Sequence, residues 1–429
     1  MADAITQFST ISTDAPNVWI AERMYELAER RLQVGQWAQK YSLPQRMSKT
    51  MRVTRYRRLT LPRATMTEGF APDAVALAVE NVDVTVEQWG IVVLITDVGL
   101  ITTKHPALNI AVQRTSLAMA EVLEREMAVM LLGGTNIYYG GTARTARTQL
   151  TAGDSINTGL LLQATTFLRA KGAPDWESGL FGGVMPPQAE SDIVKSDIPF
   201  QNSKNYADVK ALQYAEIGVW GSTRWTRGNF LPYFRGEAVP DTAAATATKA
   251  QVTAGTAGSL ATGNYQVVTV ARDTNSYYER RISQNSANIA VTGPSGSISV
   301  ALPTNTNYVY DIYMTNAGST SPLLIVSAQT AAATYVITAV SSVTTAPPAA
   351  PGSGVEVFVA WVFGQDAFGR VELSGMSLQS YITPPGASWS NPLAQGRKVG
   401  SKVMWKSFIQ EQDFFVRLEF TSSFSAYLA

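Results

Sequence analysis

Apolar residues recur at helical spacing in two stretches of the first half of the chain, and alternate with polar ones in a third. In NVWIAERMYELAERRLQVGQWAQKY, residues 17–41, Trp19, Met24, Leu27 and Leu32 fall near helical spacing, with Glu22, Arg23, Glu26 and Arg30 between them. This predicts an amphipathic helix that Pro44 ends. From Lys49 to Leu61 the pattern is strand-like, and from Val82 to Glu87 it alternates strictly, so two strands flank a Pro- and Gly-containing tip between Pro62 and Pro72. The two predict a long two-stranded arm. The segment HPALNIAVQRTSLAMAEVLEREMAVMLLGG then predicts a long helix, with Pro106 in its first turn and Gly133 and Gly134 as its stop. Leu108, Val112, Met119, Leu123, Met127 and Met130 share one face, and Glu121 and Arg125 form an i, i+4 pair on the other. At about 1.5 Å per residue this is a rod of roughly 40 Å, the length of a scaffold member.

Residues 150–236 mix the two periods: LLLQATTFLRAKGAP reads as a helix, and AEIGVWGSTRWTRGNFLPYF as short strands and turns. From Asp241 to about Gly354 charges become sparse and Thr, Ser, Ala and Val dominate. NYQVVTVA, SISVAL, NYVYDIYMT, LLIVSA and ATYVITA follow one another between turn residues, the cadence of a small β-sandwich, and TAPPAAPGSG closes the run like a linker. Beyond it the chain is again mixed and aromatic, so the sandwich reads as an insertion into a domain that resumes behind it.

Composition narrows the chemistry. A chain of 429 residues that is 45% hydrophobic buries a large core and divides into two or three domains. Its 34 basic and 33 acidic residues leave a net charge of +1, so attraction to polyanions would have to come from local clusters. There is no cysteine and one histidine, His105, which disfavours thiolate chemistry, zinc sites and histidine-based triads. No basic-then-apolar leader and no long apolar span are seen, which leads us to expect a cytoplasm-like compartment and no membrane. LLGGTNIYYGG has the glycines of a phosphate loop, but they follow a helix and no Gly-Lys-Ser/Thr completes the motif. His105 reads as a helix-entry residue, Glu124 and Glu126 do not face each other on a helix, and Asp366 in VFGQDAFG reads as a turn residue. We therefore expect no catalytic, cofactor-binding or metal-binding residues and no cofactor.

What remains is the basic stretch RVTRYRRLTLPRATMTEGFAP, residues 52–72. Arg52, Arg55, Arg57, Arg58 and Arg63, with Lys49, could meet phosphates, although Tyr56 alone is thin support for base stacking. Alternatively they meet carboxylates, either Glu80, Asp83 and Glu87 on the return strand or those of a neighbouring subunit.

The order of elements, together with LPRATMTEGFAP, VEQWGIVVLITD, the helix ending LLGGT, NYADVKALQYAEIGVWGSTRW and VGSKVMWKSF, resembles the major capsid protein of tailed bacteriophages, in particular the coat proteins of podophages related to the Escherichia phage N-four group. The resemblance covers residues 1–240 and 354–429. It implies an α+β fold with an N-terminal arm (1–48), an extended loop (49–97), a peripheral domain with a spine helix (98–149), an axial domain in two parts (150–240 and 354–394) and C-terminal peripheral strands (395–429). Residues 241–353 depart from that pattern and resemble an inserted immunoglobulin- or fibronectin-like β-sandwich. The implied function is structural: copies assemble as hexamers and pentamers of an icosahedral head around double-stranded DNA, in the virion, after assembly in the host cytoplasm. Arg52, Arg55, Arg57, Arg58 and Glu68 are then inter-subunit contacts. The implied partners are the chain itself, a scaffolding protein, a portal, packaged DNA through weak non-specific contact and, optionally, a decoration protein. The arm begins within about twenty residues of Met1, so scaffolding is expected from a separate protein, and the Lys-free loop tip predicts a shell held by non-covalent contacts. The rival from another class is a surface or tail-associated adhesin whose β-module binds glycans; a hydrolase is a weaker one, given the residues above.

Overall fold

The computed structural model describes residues 33–46, 48–56, 59, 75–96, 107–176, 179–196, 216–229, 231–274, 279–293, 295–374, 379–382 and 396–424. In chain order the first elements are β1 (Gln39–Leu43), β2 (Thr50–Tyr56), β3 (Val79–Thr85), β4 (Glu87–Thr96) and helix α1 (Ala107–Leu131). Next come β5 (Ile137–Tyr139), α2 (Thr158–Lys171), β6 (Phe181–Met185), α3 (Pro187–Ser196), β7 (Glu216–Trp220), β8 (Thr223–Arg227) and β9 (Tyr233–Glu237). A run of strands follows: β10 (Gln251–Leu260), β11 (Gly263–Tyr265), β12 (Val267–Asp273), β13 (Glu279–Ser283), β14 (Ile289–Val291), β15 (Gly296–Ala301), β16 (Tyr308–Thr315), β17 (Pro322–Thr330) and β18 (Thr334–Ile337). The last are β19 (Glu356–Phe363), β20 (Phe368–Leu373), β21 (Gln379–Ile382), β22 (Gly396–Ile409) and β23 (Phe415–Phe420). They form two compact units, one containing Ala38–Leu123 and Phe368–Gln410, the other containing Glu29–Trp37, Glu124–Ala367 and Glu411–Ala429.

In the first unit the long strand β22 is central. β4 runs antiparallel along one of its edges, β20 and β21 follow one another along the opposite edge, and β1 joins β20 in parallel. The early part of α1 packs Ala111 and Val112 on Val93, Ile95 and Val399 of this sheet, and Ser401 donates to Thr115 at 3.0 Å. The β2–β3 hairpin sets Met51, Val53, Val82 and Val84 against Leu43, Val371 and Phe408. Gly369 lets this contact close, because a Cβ there would lie 2.8 Å from the Tyr41 ring and 3.0 Å from that of Phe408.

The helix expected over 17–41 does not extend to its predicted end. Val34–Trp37 form a single 3-10 turn and β1 begins at Gln39, its residues alternating in exposure as a strand on β20 does. Residues 1–32 lie outside the described ones. The long helix forms where its period places it, but its buried positions are Ala111, Thr115 and Met119 and then Glu124, Met127, Ala128 and Leu131, whereas Leu123 and Met130 are half-buried.

In the second unit an eleven-stranded sheet runs β17-β16-β12-β13-β9-β19-β6-β8-β7, with β23 on the other edge of β19 and β5 on β23. Helices α2 and α3 cover the β6, β8, β19 and β23 part of it, with Leu160, Leu161, Ala164, Leu168 and Ile193 against Phe181, Trp225, Phe358 and Leu418. Asn157 caps α2 by accepting from the Leu160 amide at 2.8 Å, and Gly172, at φ 70°, ends it. Gly182 and Gly183 of β6 are next to tryptophan rings: a Cβ on the first would lie 2.4 Å from Trp37, and on the second 2.6 Å from Trp225. A second sheet, β10-β15-β18, faces β12 and β16 across a separate core of Val252, Leu260, Val267, Ile298, Val300, Tyr310 and Ile312.

Candidate functional site

The β2–β3 hairpin carries the arginines singled out in the sequence, and its register explains their surroundings. Thr50, Arg52, Thr54 and Tyr56 alternate onto one face of β2, opposite Thr85, Asp83, Asn81 and Val79 of β3. All eight are exposed. The face is a ladder of matched cross-strand pairs. The Thr50 and Thr85 hydroxyls are 2.8 Å apart, Arg52 donates to both oxygens of Asp83 at 2.6 and 2.7 Å, and the Thr54 hydroxyl donates to Asn81 Oδ1 at 2.8 Å. The hydrogen bond with Arg52 draws the Asp83 carboxyl below its ordinary value and the same bond raises that of Arg52. Both groups are solvent-exposed, so the pair fixes side-chain geometry more than it adds stability.

The opposite face holds Met51, Val53 and Arg55 across from Val84, Val82 and Glu80. Two nitrogens of Arg55 donate to Glu80 Oε2 at 3.0 and 2.7 Å, and a third reaches the Gln410 carbonyl at 2.8 Å, so this side chain fastens the hairpin to the end of β22. Glu87, the third carboxylate considered for the arm, pairs instead with Lys406 at 2.8 Å.

At the last pair of the hairpin, Tyr56 with Val79, and just beyond it, the described side chains that are exposed turn apolar. Tyr56 is 65% exposed, Leu59 51%, Val75 62%, Leu77 56% and Val79 49%. Among the described residues the hairpin therefore has a polar, internally paired base and a group of apolar side chains open to solvent at its far end. Arg52 and Arg55 are brought together with carboxylates of their own hairpin. Arg57, Arg58 and Glu68 lie outside the described residues, as do Arg63 and His105. The threonine and asparagine rungs and the Arg55–Gln410 bond were not foreseen. The rungs were within reach of the sequence, because once Arg52 is set opposite Asp83 every second residue on each strand follows.

The second unit holds a buried ionic group of a different kind. Glu419, fully buried, accepts from Arg147 through both oxygens at 2.7 and 2.5 Å and lies 3.0 Å from the Nε of Arg417. Arg147 also stacks on Phe234 at 3.5 Å and donates to the Ala349 carbonyl at 2.9 Å. Glu124 of α1, likewise buried, accepts from the amides of Gln33, Val34 and Gly35. The hydrogen bonds of both groups run to the chain itself, while the buried Arg417 Nε lies beside Glu419 without a hydrogen bond of its own among the described residues; the arrangement is that of a structural ion cluster. Among the described residues no group of three or more His, Asp or Glu side chains is placed to hold a metal ion, and no helix is long and apolar enough to cross a membrane.

No family model matches the chain, and no curated protein matches it in sequence. Solved structures do match in fold. The capsid of cyanophage Pam1 superposes with a TM-score of 0.54 at 10% identity, covering 99% of this chain and 100% of that one. The capsid of Ralstonia phage GP4 gives 0.52 at 10% identity over 99% and 100%, and that of cyanophage P-SCSP1u gives 0.51 at 12% identity over 95% and 93%. The chain has the α+β major capsid protein fold of tailed bacteriophages.

Proposed function

We propose that the chain is a major capsid protein: many copies close into an icosahedral shell, as hexamers and pentamers, around double-stranded DNA. What carries the reading is that the likeness to phage capsid subunits runs over nearly the whole chain and not over one domain. The hairpin supports it from the chemical side, since its distal apolar residues have a use once a neighbouring subunit covers them. In this reading residues 49–97 are the extended loop. Its arginines Arg52, Arg55, Arg57 and Arg58 and the tip residue Glu68 set the subunit contact, Arg52 and Arg55 by holding the hairpin in the shape that docks. Residues 241–353 form an immunoglobulin-like module, and the podophage branch is the one the sequence phrases favour. The role is structural rather than catalytic and the place is the virion. A scaffolding protein, a portal and the packaged DNA complete the partners, with a decoration protein optional.

Sedimentation velocity of the purified full-length chain, alone and with its scaffolding protein, tests this. The expected result is a boundary moving as particles of very many subunits. A chain that remains monomeric in both samples overturns the proposal.

A further inference from the structure

Strand β9 is where two parts of the eleven-stranded sheet meet. Its Tyr233–Arg235 stretch pairs antiparallel with β19, and its whole length pairs in parallel with β13, which brings β12, β16 and β17 behind it. Phe234 and Gly236 lie on one face of β9, so Arg235 and Glu237 share the other. Glu237 stands opposite Ser283 at the end of this joint, is 6% exposed, and its Oε2 has no hydrogen-bond partner among the described residues. A buried carboxylate oxygen in that condition is costly when charged.

The charged neighbours relieve it only in part. Arg281 of β13 is bound to Glu279 at 2.8 Å, and Glu279 is itself buried and accepts from the Tyr308 hydroxyl of β16. Arg235, on the same strand as Glu237, lies 3.6 Å from Glu356 of β19. Tyr310 of β16 directs its hydroxyl to the Asn305 carbonyl at 3.3 Å. Two arginines thus face three carboxylates, each arginine is paired with another carboxylate, and among the described residues Glu237 makes no ion pair of its own.

We propose that Glu237 is a proton-operated latch at the β9–β13 joint. Protonated, it seats in the sheet face as a neutral group; ionised, it weakens the parallel pairing that ties β12, β13, β16 and β17 to the rest of the sheet. Burial is the main cause that pushes its carboxyl up to about 7 from the ordinary 4.5; Glu279 adds to the rise, and Arg281 and Arg235 oppose it. A folded-state value above the ordinary one means that the stabilisation is complete below the ordinary carboxylate range and is lost as pH rises through about 7. The joint is therefore firm in mild acid and loosens in mild alkali, independently of what the chain assembles into.

Hydrogen exchange of the full-length protein, followed in peptides covering 233–237 and 279–283 and corrected for intrinsic rates, reads this directly. The opening equilibrium should rise about tenfold from about pH 6 to about pH 8.5 in the wild type. In Glu237→Gln, which keeps the shape and removes the titration, it should stay flat. A wild-type profile without the rise overturns the proposal, whether or not the variant folds. So does a Glu237→Gln profile that climbs as the wild type does.

Discussion

Single side chains hold this fold at places where sequence neighbours give no hint of the contact. Glu419 is the clearest. Its two arginine partners are Arg417 on the same strand and Arg147, which lies 272 residues earlier, and all three are buried. Removing the carboxylate charge would leave two guanidinium groups inside the protein with their compensation gone. Glu419→Gln is expected to lower the stability of the second unit by about 3–5 kcal/mol, measured by denaturant unfolding; a loss well under 1 kcal/mol would mean that the group does not hold the sheet as argued. Glu124 presents the same difficulty for a reader of the sequence. On a helix bearing Glu121, Glu124 and Glu126 it has the look of a solvated acid, but it is buried and receives three amides from 89 to 91 residues away. Charge and period do not reveal such roles, because the partners are set by tertiary packing. Arg52 and Arg55 were easier, since one antiparallel pairing places each beside its carboxylate.

At the scale of elements, the signals that came through were those with a long repeat and a clear stop. The helix Ala107–Leu131 and the helix Thr158–Lys171 lie where apolar spacing and the following glycines put them. The hairpin is paired residue by residue from Thr50–Thr85 to Tyr56–Val79, as alternation in Val82–Glu87 implied. β6 did not come through: FGGVM has the glycines of a turn but is a fully buried strand, and the reason for its glycines is two tryptophans distant in sequence. The buried stripe of α1 was placed in part: Met119 and Met127 are buried and Val112 packs on the sheet, but Leu123 and Met130 are half-buried, and an amphipathic template cannot foresee the buried Glu124. The hairpin supplies a prediction of its own. Arg55→Glu breaks the bond to Glu80 and the hold on Gln410, and should reduce particle yield by an order of magnitude or more while circular dichroism of the soluble protein is little changed. The exchange Arg55→Glu with Glu80→Arg re-forms the cross-strand pair without the arginine's bond to Gln410, and is expected to restore part of that yield. Equal losses in the single and the exchanged variants would show that cross-strand pairing is not how Arg55 serves assembly.

For the molecule as a whole, the composition break at Asp241 drew attention to a β-rich run that the capsid resemblance did not cover. The structure shows how that run is attached. β13 extends the sheet from β9, Gly236 and Val355 are bonded backbone to backbone, and Arg147 and Gln284 hold the carbonyls of Ala349, Ala350 and Pro351. TAPPAAPGSG has the composition of a loose linker, but part of it is held as a strap across the sheet. Excision of the run would uncover the edge of β9 and the buried Phe234 beside it, a consequence that strand pairing dictates and residue content does not. The fold class was legible because the order of arm, hairpin, long helix and closing strands is itself a signature; the attachment was not, because parallel pairing between strands some 45 residues apart leaves no local pattern.

In the proposed shell the hairpin is completed by another copy of the chain. A cryo-electron microscopy reconstruction of assembled particles, with density traced through residues 50–85, addresses this directly. We predict closed shells in which each hairpin lies on an adjacent subunit, with Tyr56, Leu59, Val75, Leu77 and Val79 covered by it. Hairpins left in solvent, or folded back only onto their own subunit, would contradict the account.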